Sequence, residues 1–178
     1  MLKLFSEIGL QGSFFNMETC NISFVKEKLR SLHANNWEIL VKEKPKLNTY
    51  VTFKKHYGLE NYLTHNLSRG KRSLLAQFRL GILPLKIETG RFSNIDREER
   101  LCDFCKDAVE NEIHFLFHCG LYREFRESLF SKAREISPHF DTRNVVENLE
   151  FLMTTIPLDL ANFVSDAFWK RKEFLYTV

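Results

Sequence analysis

The chain has 178 residues, 44% of them hydrophobic and 28% charged, with a net charge of +3 and a sequence pI of about 8.6. That length fits one globular domain, with room for a loosely attached segment at one end, and buries a core without disulfide staples. Seven Gly and four Pro argue against a linker-rich or low-complexity chain, and 17 Phe favour a packed aromatic core over disorder. No apolar run reaches the ~18 residues a membrane span needs. The first fifteen residues are broken by Glu7, Gly9 and Gln11, a poor signal peptide. An intracellular setting, nuclear or cytoplasmic, is therefore expected, where clustered cysteines more often bind metal than pair as disulfides.

In chain order the pattern reads as all-α. Over residues 21–42 the apolar positions Ile22, Val25, Leu29, Leu32, Trp37, Leu40 and Val41 recur at helical spacing, with a break expected at Asn35-Asn36 and an end before Pro45. The stretch from Lys46 to Tyr57 is ambiguous, and Gly58 marks a turn. Residues 70–82 predict a second helix, with Leu74, Leu75, Phe78 and Ile82 on one face, Ser68 as N-cap, and Gly81 and Pro84 at its end. A helical segment over 110–118 carries a histidine, and Gly120 resets the chain. Leu121, Phe125, Leu129, Ala133 and Ile136 give an amphipathic helix over 121–136, closed by Pro138. Helices over 143–154 and 158–176 complete the set, with Pro157 near the first turn of the last. The division expected is an N-terminal helical segment, 1–66, and a helical zinc-knuckle domain, 67–178, packed as one unit.

Three of the four cysteines lie within eighteen residues, in the order Cys102, Cys105, eight residues, His114, four residues, Cys119. Zinc takes four nitrogen or sulfur ligands in a tetrahedron. A C-x2-C pair grips one edge from a tight turn, and a histidine with a cysteine five positions on supplies the other from a helix end. Three thiolates and an imidazole fill every position, so one structural zinc is expected rather than a catalytic one. The rival is a set of buried thiols with a surface histidine. His118 adjoins Cys119 too closely to be the preferred ligand and reads as a satisfied helix histidine or a donor to the site. The remaining Cys20 reads as a plain buried thiol. His114 and His118 also form an H-x3-H pair, but Phe115 stands where a zinc protease has its glutamate. No histidine-x-glutamate precedes the C-x2-C as a zinc deaminase requires.

Between Arg69 and Arg91 there are six basic residues, Arg69, Lys71, Arg72, Arg79, Lys86 and Arg91, against one acid, Glu88. They can track phosphates, or form a solvated face whose arginine stems cover apolar surface. Their position beside a knuckle-like site favours nucleic acid.

The run RSLLAQFRLGILPLKIETGRF, with RLCDFCKDAVENEIHFLFHCGLYREFR after it, resembles the zinc-binding segment near the C-terminus of the reverse-transcriptase polyprotein of LINE-type (non-LTR) retrotransposons. The matching positions are Arg79, Gly81, Pro84, Cys102, Cys105, Glu112, His114, Cys119, Tyr122 and Arg123. KLNTYVTFKKHYGLENYL and AFWKRKEFLY are similar to the flanks, so the likeness runs from about Trp37 onward. It implies a module that holds template RNA or target DNA near the polymerase, with the polymerase part of such a polyprotein as a further partner. The catalytic elements are missing: no adjacent aspartates for a two-metal polymerase site, and no acid followed two residues later by lysine for a nuclease. The expectation is thus a non-enzymatic, zinc-stabilised module binding RNA or single-stranded DNA, resembling a detached C-terminal part of that polyprotein. The alternative is a zinc-pinned structural or protein-interaction domain without nucleic-acid binding.

Overall fold

The computed structural model describes Ser6, Gly9 and residues 22–176. Among these residues the fold is all-α, with no strand and a single isolated antiparallel bridge between Leu101 and Val109. Cys20 lies outside the described residues. The chain divides into two compact units, and the division differs from the one expected at residue 66. The first unit includes residues 22–45 and 55–58; the second takes residues 46–54 together with everything from Leu59 on.

In the first unit, α1 (Ile22–Lys42) runs without interruption through Asn35-Asn36, where a break was expected. An asparagine costs a helix interior only about 0.7 kcal/mol at most, too little to break a helix of this length. Trp37 packs near Tyr57, ring centroids 6.1 Å apart, and Gly58 turns the chain at φ +151°, a conformation open to glycine alone.

A 3-10 turn, Pro45–Leu47, leads the chain into the second unit, which continues with α2 (Asn48–Phe53) and a further 3-10 turn, Asn61–Thr64. The helix α3 (Arg69–Arg79) starts as its sequence demands: the Ser68 hydroxyl accepts the Lys71 N–H at 3.4 Å. Leu75 and Phe78 are buried and Leu74 half-buried, while Ile82 lies beyond the helix and stays 40% exposed. Gly81, at φ +65°, turns the chain out of α3.

Then come α4 (Lys86–Thr89), the metal-ligand loop, α5 (Arg123–Ile136), α6 (Val145–Thr154) and α7 (Pro157–Tyr176). Asn144 opens α6 with a reciprocal capping box, its side chain taking the Glu147 N–H and Glu147 returning to the Asn144 N–H. The long α7 packs against α3, α5 and α6. Its buried face, Leu160, Ala161, Val164, Ala167 and Phe168, is matched by Leu129 and Ala133 of α5 and by Leu149, Leu152 and Met153 of α6. Phenylalanine fills the space between. Phe115 is fully buried, with Tyr122 at 4.6 Å, Phe163 at 5.8 Å and Phe78 at 6.0 Å between ring centroids. Burying such a side chain stabilises by about 1.5–3 kcal/mol. Because Phe115 follows His114 directly, the centre of the core and the metal-ligand set share one backbone turn.

Candidate metal centre

The loop carrying the first two cysteines is closed by the Leu101–Val109 bridge and by the Cys102 N–H, which donates to the Ala108 carbonyl at 2.9 Å. The Lys106 N–H returns to the Cys102 carbonyl at 3.0 Å, and Lys106 takes a positive φ of 61° to complete the turn. Cys102 and Cys105 are thereby presented from one tight bend.

His114 and Cys119 come from the other side. The Asn111 side chain accepts the His114 N–H at 2.8 Å and so caps the start of a short helical segment. That segment is a π-helical turn, His114–His118, in which the Cys119 N–H donates to the His114 carbonyl, five residues back, at 2.8 Å. The wider turn seats four residues between the two ligands and still returns Cys119 to the side of His114. Arg126, buried on α5, holds the end of the turn: its Nε donates to the Leu116 carbonyl at 2.8 Å and its Nη2 to the Cys119 carbonyl.

The four donors Cys102, Cys105, His114 and Cys119 converge, every pair of ligand atoms lying within 4.8 Å. Cys102 Sγ and Cys119 Sγ are 3.8 Å apart, and Cys105 Sγ and His114 Nε2 are 3.4 Å apart. A zinc tetrahedron with ordinary bond lengths has edges of about 3.8 Å between sulfurs and about 3.5 Å from sulfur to nitrogen. Three donors are buried and Cys105 is half-buried. The site can therefore hold a metal ion, enclosed on all but one side. Without a cation the two buried thiols compete. Cys102 is held far below the usual thiol range, first by its contact with the Cys119 thiol and then by His114, while Cys119 is pushed up by the same contact and by burial. A divalent cation removes that conflict by stabilising all three thiolates together.

His118 is exposed and stands outside the four-donor set, its ring 6.4 Å from that of Phe117. The Nδ1 of His114 is buried without a hydrogen-bond partner, so His118 does not donate to it.

Two polar ties fasten the loop to the helical body, and neither was evident from sequence. Glu110 is buried and takes both Nε and Nη2 of Arg171, on α7, at 2.7 Å each; its Oε2 also accepts the Lys86 N–H at 2.8 Å. Its own N–H donates to the Arg100 carbonyl at 2.9 Å and its carbonyl accepts the Ile87 N–H at 3.0 Å. Gly90 lets Arg100 pass, since a Cβ there would come within 2.7 Å of Arg100 Cγ and 2.9 Å of the Lys86 carbonyl. Asparagine three residues before a histidine is a capping signal that could have located Asn111. Nothing in the sequence pairs Glu110 with a residue sixty-one positions away.

The six basic residues do not form one surface. Arg79 was expected to face nucleic acid; it is instead 4% exposed, with Nη2 on Glu60 at 2.6 Å, Nη1 on the Met153 carbonyl at 3.1 Å, and its guanidinium 4.5 Å from the Phe53 ring centroid. Lys86 pairs with Asp103 at 3.1 Å and Arg91 with Glu88 at 3.0 Å. Arg69 and Arg72 are exposed and Lys71 half-exposed; Lys71 bonds the neutral Asn162 side chain and Arg72 the Leu67 carbonyl, so no carboxylate pairs with this trio among the described residues. Among the described residues no helix is long and apolar enough to cross a membrane. No family model matches the chain, and neither does any curated protein or solved structure.

Proposed function

We propose that this chain is a non-enzymatic module, built round one structural zinc ion, that binds RNA or single-stranded DNA. The observation that carries the metal half is the set of four donors within 4.8 Å of one another, two of their separations matching tetrahedral edges; four protein ligands would leave no position for a reacting water. The nucleic-acid half rests on Arg69, Lys71 and Arg72 at the first turn of α3, three cations without a carboxylate, and it agrees with the resemblance to the LINE-type zinc segment. Burial of Arg79 favours the rival, a zinc-pinned structural or interaction domain.

Two measurements separate these readings. Elemental analysis of protein expressed in zinc-replete medium should give one zinc per chain, lost in His114→Ala and kept in His118→Ala; the reverse pattern would overturn the ligand assignment. Anisotropy titration with a labelled single strand should give a slope of log affinity against log salt of about −2, as three phosphate contacts imply. Zinc-loaded protein that binds nothing at low salt would leave the structural rival standing.

A further inference from the structure

We infer that the C-terminal turns of α7 form a stacking platform for unpaired bases, made by Trp169 and Tyr176 with Lys172 beside Trp169. Trp169 is 59% exposed and Tyr176 84%. Seven residues apart on a helix, they fall within about 20° of one another and about 10.5 Å apart along the axis, so both rings look out from one face. The Trp169 ring meets the buried Phe168 edge to face, ring centroids 6.1 Å apart at 66°. The Lys172 ammonium lies 4.8 Å from the Trp169 ring centroid and 4.9 Å from that of Phe168, and no carboxylate pairs with it among the described residues. The nearest acid on this face, Glu173, is engaged by Lys170 at 2.9 Å; Asp166 lies one turn toward the start of α7.

The pattern decides the occupant. A surface that buries against another folded protein wants a contiguous apolar patch. Here two exposed aromatic rings stand two helical turns apart, with a cation over the first, and are flanked by Lys170, Glu173 and Asp166. Spaced aromatic faces with a cation beside them suit a strand whose bases offer π faces and whose linking phosphates are anionic. A duplex, with its bases already stacked, offers this face only phosphate. The inference rests on the nucleic-acid reading above and adds the class of ligand: unpaired bases.

The test uses the full, zinc-loaded chain with a fluorescein-labelled oligo-deoxythymidine and, in parallel, a labelled duplex of the same length. Trp169→Ala should weaken single-strand binding about five-fold or more, leave duplex binding within about two-fold, and leave the salt slope unchanged because no charge is lost. Trp169→Phe should recover most of the affinity. Lys172→Ala should flatten the single-strand slope by about 0.7. If Trp169→Ala binds the single strand like the parent while Arg69→Ala/Arg72→Ala weakens both ligands, the platform is wrong and the basic reading survives. If the parent binds neither ligand at low salt, both fail. If Trp169→Ala abolishes a dimer seen by sedimentation with oligonucleotide affinity intact, the face belongs to a protein contact and the inference is overturned.

Discussion

Arg72 and Arg79 occupy the first and last turns of α3, seven residues apart and on nearly the same flank, yet one lies in solvent and the other is among the most deeply buried charges of the described residues. Helical register sets the angle at which a side chain leaves the axis. What stands at that angle is set by other segments. At the start of α3, Arg72 donates to the Leu67 carbonyl and stays exposed. At its end, α2 and the turn at 61–64 bring Phe53, Tyr62 and Glu60 around the guanidinium, with the end of α6 adding a carbonyl. Counting charge along a helix therefore overstates a phosphate-binding surface by whatever part of it the tertiary fold neutralises.

The sharpest way to break this comparison is Arg79→Ala. It removes the closer of the two cations that face Glu60, leaving Lys54 at 3.5 Å, and opens space beside Phe53 and Tyr62, so denaturant unfolding should show a loss of about 3 kcal/mol. The salt dependence of any oligonucleotide binding should stay as it is. A stable Arg79→Ala protein with weakened binding would mean that the residue faces ligand after all. A similar loss, about 3–5 kcal/mol, is expected for Glu110→Ala, which strands the buried Arg171. There, zinc retention after dialysis against a weak chelator is the added readout, because Glu110 ties the ligand loop to α7.

At the other end of α3, Arg69→Ala with Arg72→Ala should change stability by no more than about 0.5 kcal/mol, as exposed substitutions do. The pair should flatten the salt slope by about 1.4. A large loss of stability would put these residues in the same structural class as Arg79.

The smallest effect belongs to Glu112, which packs under Gly81 just beyond the end of α3 and has one buried carboxylate oxygen without a partner. Burial, chiefly, pushes its pKa up from the ordinary carboxylate value of 4.5. Between that value and the raised one the folded chain binds more protons than the unfolded chain, so stability falls as pH rises through the window. Glu112→Gln should remove that decline. Comparing the two proteins by thermal melts from pH 4 to 8 cancels the effect of thiol protonation, which both share. Identical profiles would show that the carboxylate is hydrated.

Much of this architecture could be read in advance where the determinants are local. The Ser68 cap, Leu74, Leu75 and Phe78 of α3, Phe125, Leu129 and Ala133 of α5 and the four converging donors all lie within a few turns of the residues they act on, whereas Ile136, expected on the stripe of α5, is 56% exposed at the end of that helix and Leu121 precedes it. Asn35-Asn36 misled because a weak local preference against helix was weighed without the rest of α1. Glu110 with Arg171, Arg79 with Glu60 and Arg126 with the π-helical turn were illegible for a different reason. Each needs two segments brought together by the core, and a lone Arg or Glu carries no mark of whether its partner will be water or protein.

The π-helical turn also makes the number of residues between His114 and Cys119 part of the site. Deleting any one of the residues 115–118 would let the segment relax to α-helical hydrogen bonding, which keeps Cys119 on the face of His114 but changes the register of the side chains between them and shifts Phe115 or its neighbours out of the core. Inserting one would leave an unbonded residue beneath the carbonyls that Arg126 holds. Length variation among chains built on this plan should therefore collect before Cys102 or in the eight residues between Cys105 and His114, and avoid the interval of four. A chain with the same ligand types and a different count there has solved the geometry with another backbone.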